Sequence, residues 1–224
     1  MADIPFWERP EIVARFGERD PDRRLVEIVS REGAAGMRSL DLGCAAGRNS
    51  GFLAEQGADV WAVDASQAMV EAARARVADA LGPAEAARRV RLGRMDDLGA
   101  FEDARFDLVL LLGVLQNAGS DDELDRTLAS VRRVLAPGGR CLVANFAPDS
   151  RPGGAPLTRV SSETHVYQGF GGPHQRITLL TPDDLDAAFR ARGLLPLTPT
   201  TTVHVPTGRG HRTTVNALYA LSSS

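Results

Sequence analysis

Residues 40–49 read Leu40-Asp41-Leu42-Gly43-Cys44-Ala45-Ala46-Gly47-Arg48-Asn49. A short apolar run ends in Asp-Leu-Gly, turns through small residues and restarts as an amphipathic segment, the pattern of a strand, a tight glycine turn and a helix start. Gly43 and Gly47 carry no side chain, so a ligand can approach bare backbone there. The exposed N–H groups of the helix start, with the helix dipole behind them, favour a negative group. The spacing is G-x-x-x-G, which is not the dinucleotide fingerprint G-x-G-x-x-G, and no Gly-Lys-Ser/Thr follows to make a P-loop. A second acid, Asp64, closes the next apolar run, Val60-Trp61-Ala62-Val63. His165, Tyr167 and His174 lie in a Gly- and Pro-rich stretch and are candidate proton acceptors, histidine being suited to that role near neutral pH. An ordinary loop is the plainer reading of the same three residues. His204 and His211 flank a hairpin loop and read as surface residues.

These groups must be held by regular elements. The chain predicts a first strand at about 37–42, a helix from the glycine turn to Gly57, and a second strand over 59–64. Ser66 N-caps a helix whose inward stripe is Met69, Val70, Ala73 and Val77. A short strand follows at 89–93 and a fourth over 106–112. Asp121-Asp122-Glu123 open a helix with Leu124, Leu128, Val131 and Leu135 inward, stopped by Ala136-Pro137-Gly138-Gly139. Residues 141–146 form a fifth strand. Before this core, Ile12, Val13 and Phe16 share one helical face, and Asp20-Pro21-Asp22 caps a second helix with Leu25, Ile28 and Val29 inward. Strands alternating with helices imply a doubly wound, mostly parallel sheet with helices on both faces. Ligands of such sheets bind at the carboxyl ends of the strands, so the tips at 43–47, 64–66, 95–97 and 112–117 are expected to line one crevice. Residues 147–176, rich in Pro and Gly, are too long for a simple connector and read as a partly ordered cover. A helix from Thr181 to near Gly193 and two β-like stretches, 196–205 and 212–221, close the chain as a terminal β-hairpin.

The 224 residues suit one domain: an N-terminal helical cap (1–35), a binding core (36–146), the cover (147–176) and a closing helix and hairpin (177–224). The net charge of -3 and the broken arginine runs Arg88-Arg89-Val90-Arg91 and Arg132-Arg133 give no basic face, so nucleic acid is not the expected partner. All 26 basic residues are Arg, which removes any mechanism requiring a Lys base or Schiff base. That bias, with abundant Ala, Gly and Pro, is the coding of a GC-rich bacterial genome. No apolar run of about 18 residues is present, so no membrane span is expected, and the N-terminus shows no secretory pattern, which gives a cytoplasmic expectation. Cys44 and Cys141 read as small buried hydrophobes, and no metal site is read from them. Whether the protein is a monomer or a homodimer stays open.

Asp41, Gly43, Ala45 and Gly47 closely resemble motif I, D-x-G-x-G/A-x-G, of the class I S-adenosylmethionine (SAM)-dependent methyltransferases. The resemblance extends in order over residues 36–146. It implies a seven-stranded sheet with the last strand antiparallel, and SAM as cofactor with S-adenosylhomocysteine as product. The cofactor-binding set it implies is Asp41, Gly43, Cys44, Ala45, Gly47, Asn49, Asp64, Ala65, Ser66, Met69, Met95, Asp96 and Leu112. Asp41 would orient the SAM ammonium, or else cap its own turn. Asp64 would accept both ribose hydroxyls, or else serve as a loop acid. Gly93-Arg94-Met95-Asp96-Asp97-Leu98 departs from the family's Gly-Asp-x-x-Asp/Glu-Leu, because Arg94 fills the slot of an acid; Asp96 would take over the adenine amino group. Leu112 would offer its carbonyl.

Methyl transfer from a sulfonium is an in-line displacement whose electronics belong to the cofactor, so the chain mainly aligns the reactants. Trp7 and Phe16 are candidates to close over the cofactor or stack on substrate, or to pack the N-terminal helices on the core. Gln116 and Asn117 are candidates to bond substrate, or to cap their loop. The Asn-Pro-Pro-Tyr/Phe tetrapeptide of amide and exocyclic-nitrogen methylases is absent, which favours a small-molecule acceptor with an O, N, C or S nucleophile, with bacterial secondary metabolism as a setting. Rival readings are methylation of rRNA or protein, a nicotinamide-dependent oxidoreductase, and a protein of this fold that uses SAM without transferring methyl.

Overall fold

The computed structural model describes residues 4–169 and 175–222. The chain divides into two compact units, Met1–Met95 with Phe106–Leu110, and Asp96–Arg105 with Leu111–Ser224. His174 and the segment 170–174 of the expected cover lie outside the described residues.

In the first unit a 3-10 turn, Phe6–Glu8, leads into α1 (Pro10–Gly17) and α2 (Arg23–Glu32). Pro10 suits the first helical position, where its missing N–H has no partner to lose. Asp22 caps α2 by accepting from the Arg24 amide. Strand β1 (Arg38–Leu42), α3 (Arg48–Glu55), β2 (Asp59–Asp64), α4 (Gln67–Leu81), α5 (Pro83–Arg89) and β3 (Val90–Leu92) follow, with residues 106–110 of β4 (Phe106–Leu112). Helix α5 has no counterpart in the sequence reading. Its boundary is set by Gly82, at φ 81°, which ends α4, and by Pro83, which restarts the helix.

The strands run β4-β1-β2-β3, and every pairing among them is parallel. This order reverses direction on either side of β1, which is the arrangement that places ligands beyond the carboxyl ends of β1 and its neighbours. Asp107, at the start of β4, receives Arg38 through its amide and its guanidinium, which ties β4 to β1 as a strand anchor. The stripe read from α4 is buried as expected: Met69, Val70, Ala73 and Val77 are all at 0% exposure.

The second unit holds α6 (Asp121–Val134), β5 (Leu135–Phe146), β6 (Thr158–Arg159), β7 (Val166–Gln168), β8 (Arg176–Thr178), α7 (Pro182–Arg190), β9 (Leu194–Pro196), β10 (Thr201–Pro206) and β11 (His211–Leu221). Here β11 pairs antiparallel with β10, β5 and β9. Along β11 the residues from Thr213 to Leu221 alternate buried and half-buried, the period of a strand with one covered face. Phe189 of α7 stacks on Tyr219 at 4.2 Å between ring centroids.

Three expectations need correction. The turn at 136–139 does not stand apart from the fifth strand. Extended backbone begins at Leu135, and Gly138, at φ 73°, bends the chain within it. The stretch 196–205 is not one strand but β9 and β10 with residues 197–200 between them. The cover at 147–176 supplies β6, β7 and the first residue of β8 to a three-stranded antiparallel sheet, β6-β7-β8, whose short strands carry too little apolar alternation to be read in advance.

Candidate active site

The glycine turn after β1 is shaped by three left-handed residues, Gly43 (φ 71°), Ala45 (φ 47°) and Gly47 (φ 77°). Two constraints meet at Gly47. Its φ disfavours any L side chain, and a Cβ there would fall 2.9 Å from both Cα and Cβ of Ala73 on α4. The turn is therefore held close against α4 by the absence of a side chain. Ala45 accepts a conformation that is uncommon outside glycine, and its amide is fixed by the Asp64 carboxylate, whose Oδ2 accepts it at 2.8 Å.

Asp64 thus links two strand tips. Its other oxygen accepts the Ser66 amide at 2.9 Å. Burial raises its pKa above the usual carboxylate range, opposed by the amides of Ser66, Ala45 and Ala65. Three amides therefore approach a carboxylate with about four acceptor positions, which leaves about one of them open. Ser66 caps α4 as expected, accepting from the Met69 amide at 3.2 Å and donating its hydroxyl to the Trp7 carbonyl at 3.0 Å.

Asp41 is almost wholly buried, 1% exposed, and Ser50 of α3 donates its hydroxyl to Oδ2 at 2.6 Å. Burial pushes the Asp41 pKa up to about 6, against the opposing Ser50 hydrogen bond and the Arg48 charge. Asp41 is thus a buried acid that accepts both the hydroxyl and the amide of Ser50 near the start of α3. Cys44 is buried beside it, its thiol pushed up by that burial and by the Asp41 and Asp64 charges, which keeps it an unreactive hydrophobe.

Other members of the expected set are committed elsewhere. Asn49 is 3% exposed, and its Oδ1 accepts the Asp22 amide at 2.9 Å, so it joins α2 to α3. Met69 packs in a core cluster with Ile12 and Ala46, and Trp7, Val13 and Phe16 lie against that cluster. Trp7 and Phe16 meet edge to face at 5.3 Å, and the Arg19 guanidinium lies 4.0 Å from the Phe16 centroid. The packing role is therefore realised for both rings. Sequence reasoning missed Glu8, whose carboxylate accepts the Gln67 and Ala68 amides at 3.0 and 3.1 Å and so adds a second cap to α4. Its only signal was an acid among aromatic residues. Ala65 is exposed and Met95 buried, both in the first unit.

The second unit carries the remaining candidates. Asp96 is drawn into an ion pair with Arg126 of α6 at 2.9 Å, which competes with the adenine role given to it. Leu112 ends β4 half-buried. Gln116 is 7% exposed and its Oε1 is buried without a hydrogen-bond partner, whereas Asn117 is exposed. His165 is held by two acids that sequence reasoning did not connect to it. Asp121 Oδ1 lies 3.1 Å from its amide and 3.2 Å from Nδ1, and Asp184 Oδ1 lies 3.8 Å from Nε2. Asp121 opens α6, and Asp184 belongs to the capping box of α7 with Thr181. An imidazole oriented by a carboxylate on Nδ1 presents Nε2 as the proton acceptor. Tyr167 sits half-buried on β7, with the Arg159 guanidinium 6.0 Å from its ring.

Residues 40–143 match the family model described as a methyltransferase domain. The chain is 30% identical over 173 residues to a ubiquinone biosynthesis O-methyltransferase of Xanthomonas euvesicatoria pv. vesicatoria, covering 76% of this chain and 68% of that one. Among solved structures it is similar to the 1,6-didemethyltoxoflavin-N1-methyltransferase of Burkholderia thailandensis, crystallised with 1,6-didemethyltoxoflavin and S-adenosylhomocysteine. The identity is 25% and the TM-score 0.61, over 89% of this chain and 77% of that one. The cyclase SpnF shares the fold alone, at 18% identity and a TM-score of 0.64, over 93% of this chain and 85% of that one.

Proposed function

The chain belongs to the class I SAM-dependent methyltransferases, and from that premise we propose that it methylates a small molecule at an oxygen or ring nitrogen. When bound, SAM supplies an electrophilic methyl group. The single observation that carries the residue assignment is the Asp64 carboxylate at the tip of β2, fixed by the Ala45 and Ser66 amides beside the glycine turn. A rigid carboxylate at a strand tip fits a vicinal diol such as a ribose. The buried Asp41 fits the second requirement, a cation, since an ammonium there would compensate a carboxylate that burial otherwise disfavours. Gly43, Ala45 and Gly47 leave the backbone open along the turn.

For the acceptor, the O-methyltransferase and N1-methyltransferase relatives point to a nucleophile that loses a proton. His165, oriented by Asp121, is the residue that would take that proton on Nε2. The orphaned Oε1 of Gln116 asks for a donor, and a substrate O–H or N–H would satisfy it. The reading takes residues 1–224 as one doubly wound, seven-stranded cytoplasmic domain. Among described residues, no helix is long and apolar enough to cross a membrane.

The test is incubation with SAM and panels of phenols, catechols and nitrogen heterocycles, followed by mass spectrometry. S-adenosylhomocysteine together with an acceptor heavier by one methylene supports the reading. Tight SAM binding with no S-adenosylhomocysteine on any acceptor favours use of SAM without methyl transfer, and turnover on rRNA or protein alone favours a macromolecular acceptor.

A further inference from the structure

His204 and His211 do not behave as two independent surface histidines. They stand on β10 and β11, either side of the hairpin loop, with ring centroids 5.5 Å apart. Asp149, in the segment that follows β5, completes a trio in which one potential ligand atom from each residue lies within 4.8 Å of the other two. All three belong to the second unit.

The hydrogen bonds around the trio set the state of each imidazole. The Asp149 carbonyl lies 3.1 Å from Nε2 of His211. A carbonyl only accepts, so Nε2 carries the proton and the neutral ring keeps its lone pair on Nδ1. Thr213 lies under the other histidine. Its hydroxyl donates to Asp149 Oδ2 at 3.0 Å, and Nδ1 of His204 lies 3.0 Å from the Thr213 hydroxyl oxygen. A hydroxyl has one proton, and an ionised Asp149 takes it. Nδ1–H of His204 must then donate to Thr213, and Nε2 is left bare. Each histidine thus has one nitrogen locked on an oxygen acceptor and the other free to ligate, which is how metal-binding imidazoles are oriented from behind.

The frame beneath is fixed. Thr213 is 1% exposed and Ser150 0%, and they bond reciprocally: the Ser150 hydroxyl donates to the Thr213 carbonyl and accepts the Thr213 amide. Arg151 and His211 exchange amide–carbonyl bonds at 2.8 and 3.2 Å. The two segments approach so closely that a Cβ on Gly154 would fall 2.8 Å from the Arg209 carbonyl oxygen. Asp149 and His204 remain exposed, so an ion can reach them and their side chains can swing inward. The ligating atoms need to close to about 3.4 Å, the spacing around a tetrahedral ion with bonds near 2.1 Å.

We propose that Asp149, His204 and His211 form a divalent transition-metal site, of zinc type, that clamps the terminal hairpin to the segment after β5. Two imidazoles and one carboxylate suit zinc and its neighbours and exclude the hard cations magnesium and calcium, which take oxygen ligands. Three protein ligands leave a fourth position for water.

The experiment uses tag-free, chelator-stripped full-length protein titrated with zinc chloride by calorimetry. One equivalent is expected to bind with micromolar or tighter affinity. The thermal midpoint should rise by about 5–10 °C at a hundredfold excess over Kd. Magnesium chloride should give no heat. His204→Gln and His211→Gln should each weaken zinc at least tenfold with unchanged circular dichroism, while His165→Gln should leave zinc affinity as it is. Cobalt substitution should give visible bands of low coordination number in the wild type and lose them in His204→Gln. Absence of saturable zinc binding by the wild type, or equal zinc affinity in His204→Gln and His211→Gln, would overturn the proposal.

Discussion

Asp41→Asn separates the stability of the free protein from its affinity for cofactor. Asp41 has a carboxyl whose pKa is raised from 3.8 to about 6, chiefly by burial. A raised pKa means that the folded chain holds this proton where the unfolded chain has lost it. The group therefore costs nothing well below pH 4, and its cost grows as pH rises through the window from about 4 to 6. At 1.36 kcal/mol per unit, the full penalty above that window is about 3 kcal/mol, and the part gained between pH 5 and pH 8 is about 1–2 kcal/mol. Asparagine cannot ionise, yet its carbonyl can still accept the Ser50 hydroxyl that now bonds Asp41 at 2.6 Å. Urea unfolding of wild type and variant at pH 5, 6, 7 and 8 measures the difference free of every other titrating group. The variant should be the more stable at pH 8, with its advantage shrinking by about 1–2 kcal/mol on going to pH 5. S-adenosylhomocysteine should bind it at least tenfold more weakly, since the cation loses its counter-charge. A pH-independent difference would refute the account of a buried ionised acid, and unchanged affinity would remove Asp41 from the ammonium site.

Three further outcomes follow from the geometry. Gly47→Ala must accept both a left-handed φ and a 2.9 Å contact with Ala73, whereas Gly36→Ala has a similar φ of 73° but open space within 4 Å. Chemical denaturation should show Gly36→Ala costing about 1 kcal/mol and Gly47→Ala at least twice that; equal costs would mean that the turn does not pack on α4. His165→Gln should lower kcat at least tenfold on a hydroxyl acceptor with little change in KM for SAM, and should flatten the acid limb of the kcat profile; an unaltered profile would exclude His165 as the base. Glu8→Gln should lower the thermal midpoint by a few degrees through the loss of charge at the α4 N-terminus, where Glu8 meets the Gln67 and Ala68 amides.

The core was legible because its signals are local. Strand β2 and α4 could be placed from one apolar run ending in Asp64 and one serine cap, and Gly47 from its spacing, although the sequence does not reveal that Ala73 is the neighbour that forbids a side chain. What was hidden depends on tertiary contacts that local patterning does not show. The Ser50 hydroxyl reaches Asp41 through a turn, Asn49 is spent on Asp22, and His165 acquires Asp121 and Asp184 from two different helices. Short strands such as β6 and β7 are fixed by their pairing partners rather than by their own two or three residues. The trio at the terminal hairpin escaped for the same reason: Asp149 is distant in sequence from the histidines it meets, and it takes the β10–β11 pairing and the Arg151–His211 bridge to bring the three together.

The central claim is that Asp64 at the tip of β2, fixed to the glycine turn, holds the cofactor. Calorimetric titration of wild type and Asp64→Ala with S-adenosylhomocysteine, with NAD as control, tests it directly. The account predicts micromolar binding of S-adenosylhomocysteine by the wild type, no binding of NAD, and at least a tenfold loss in Asp64→Ala, about 1.4 kcal/mol, with unchanged circular dichroism. Equal affinity in the two proteins would contradict it.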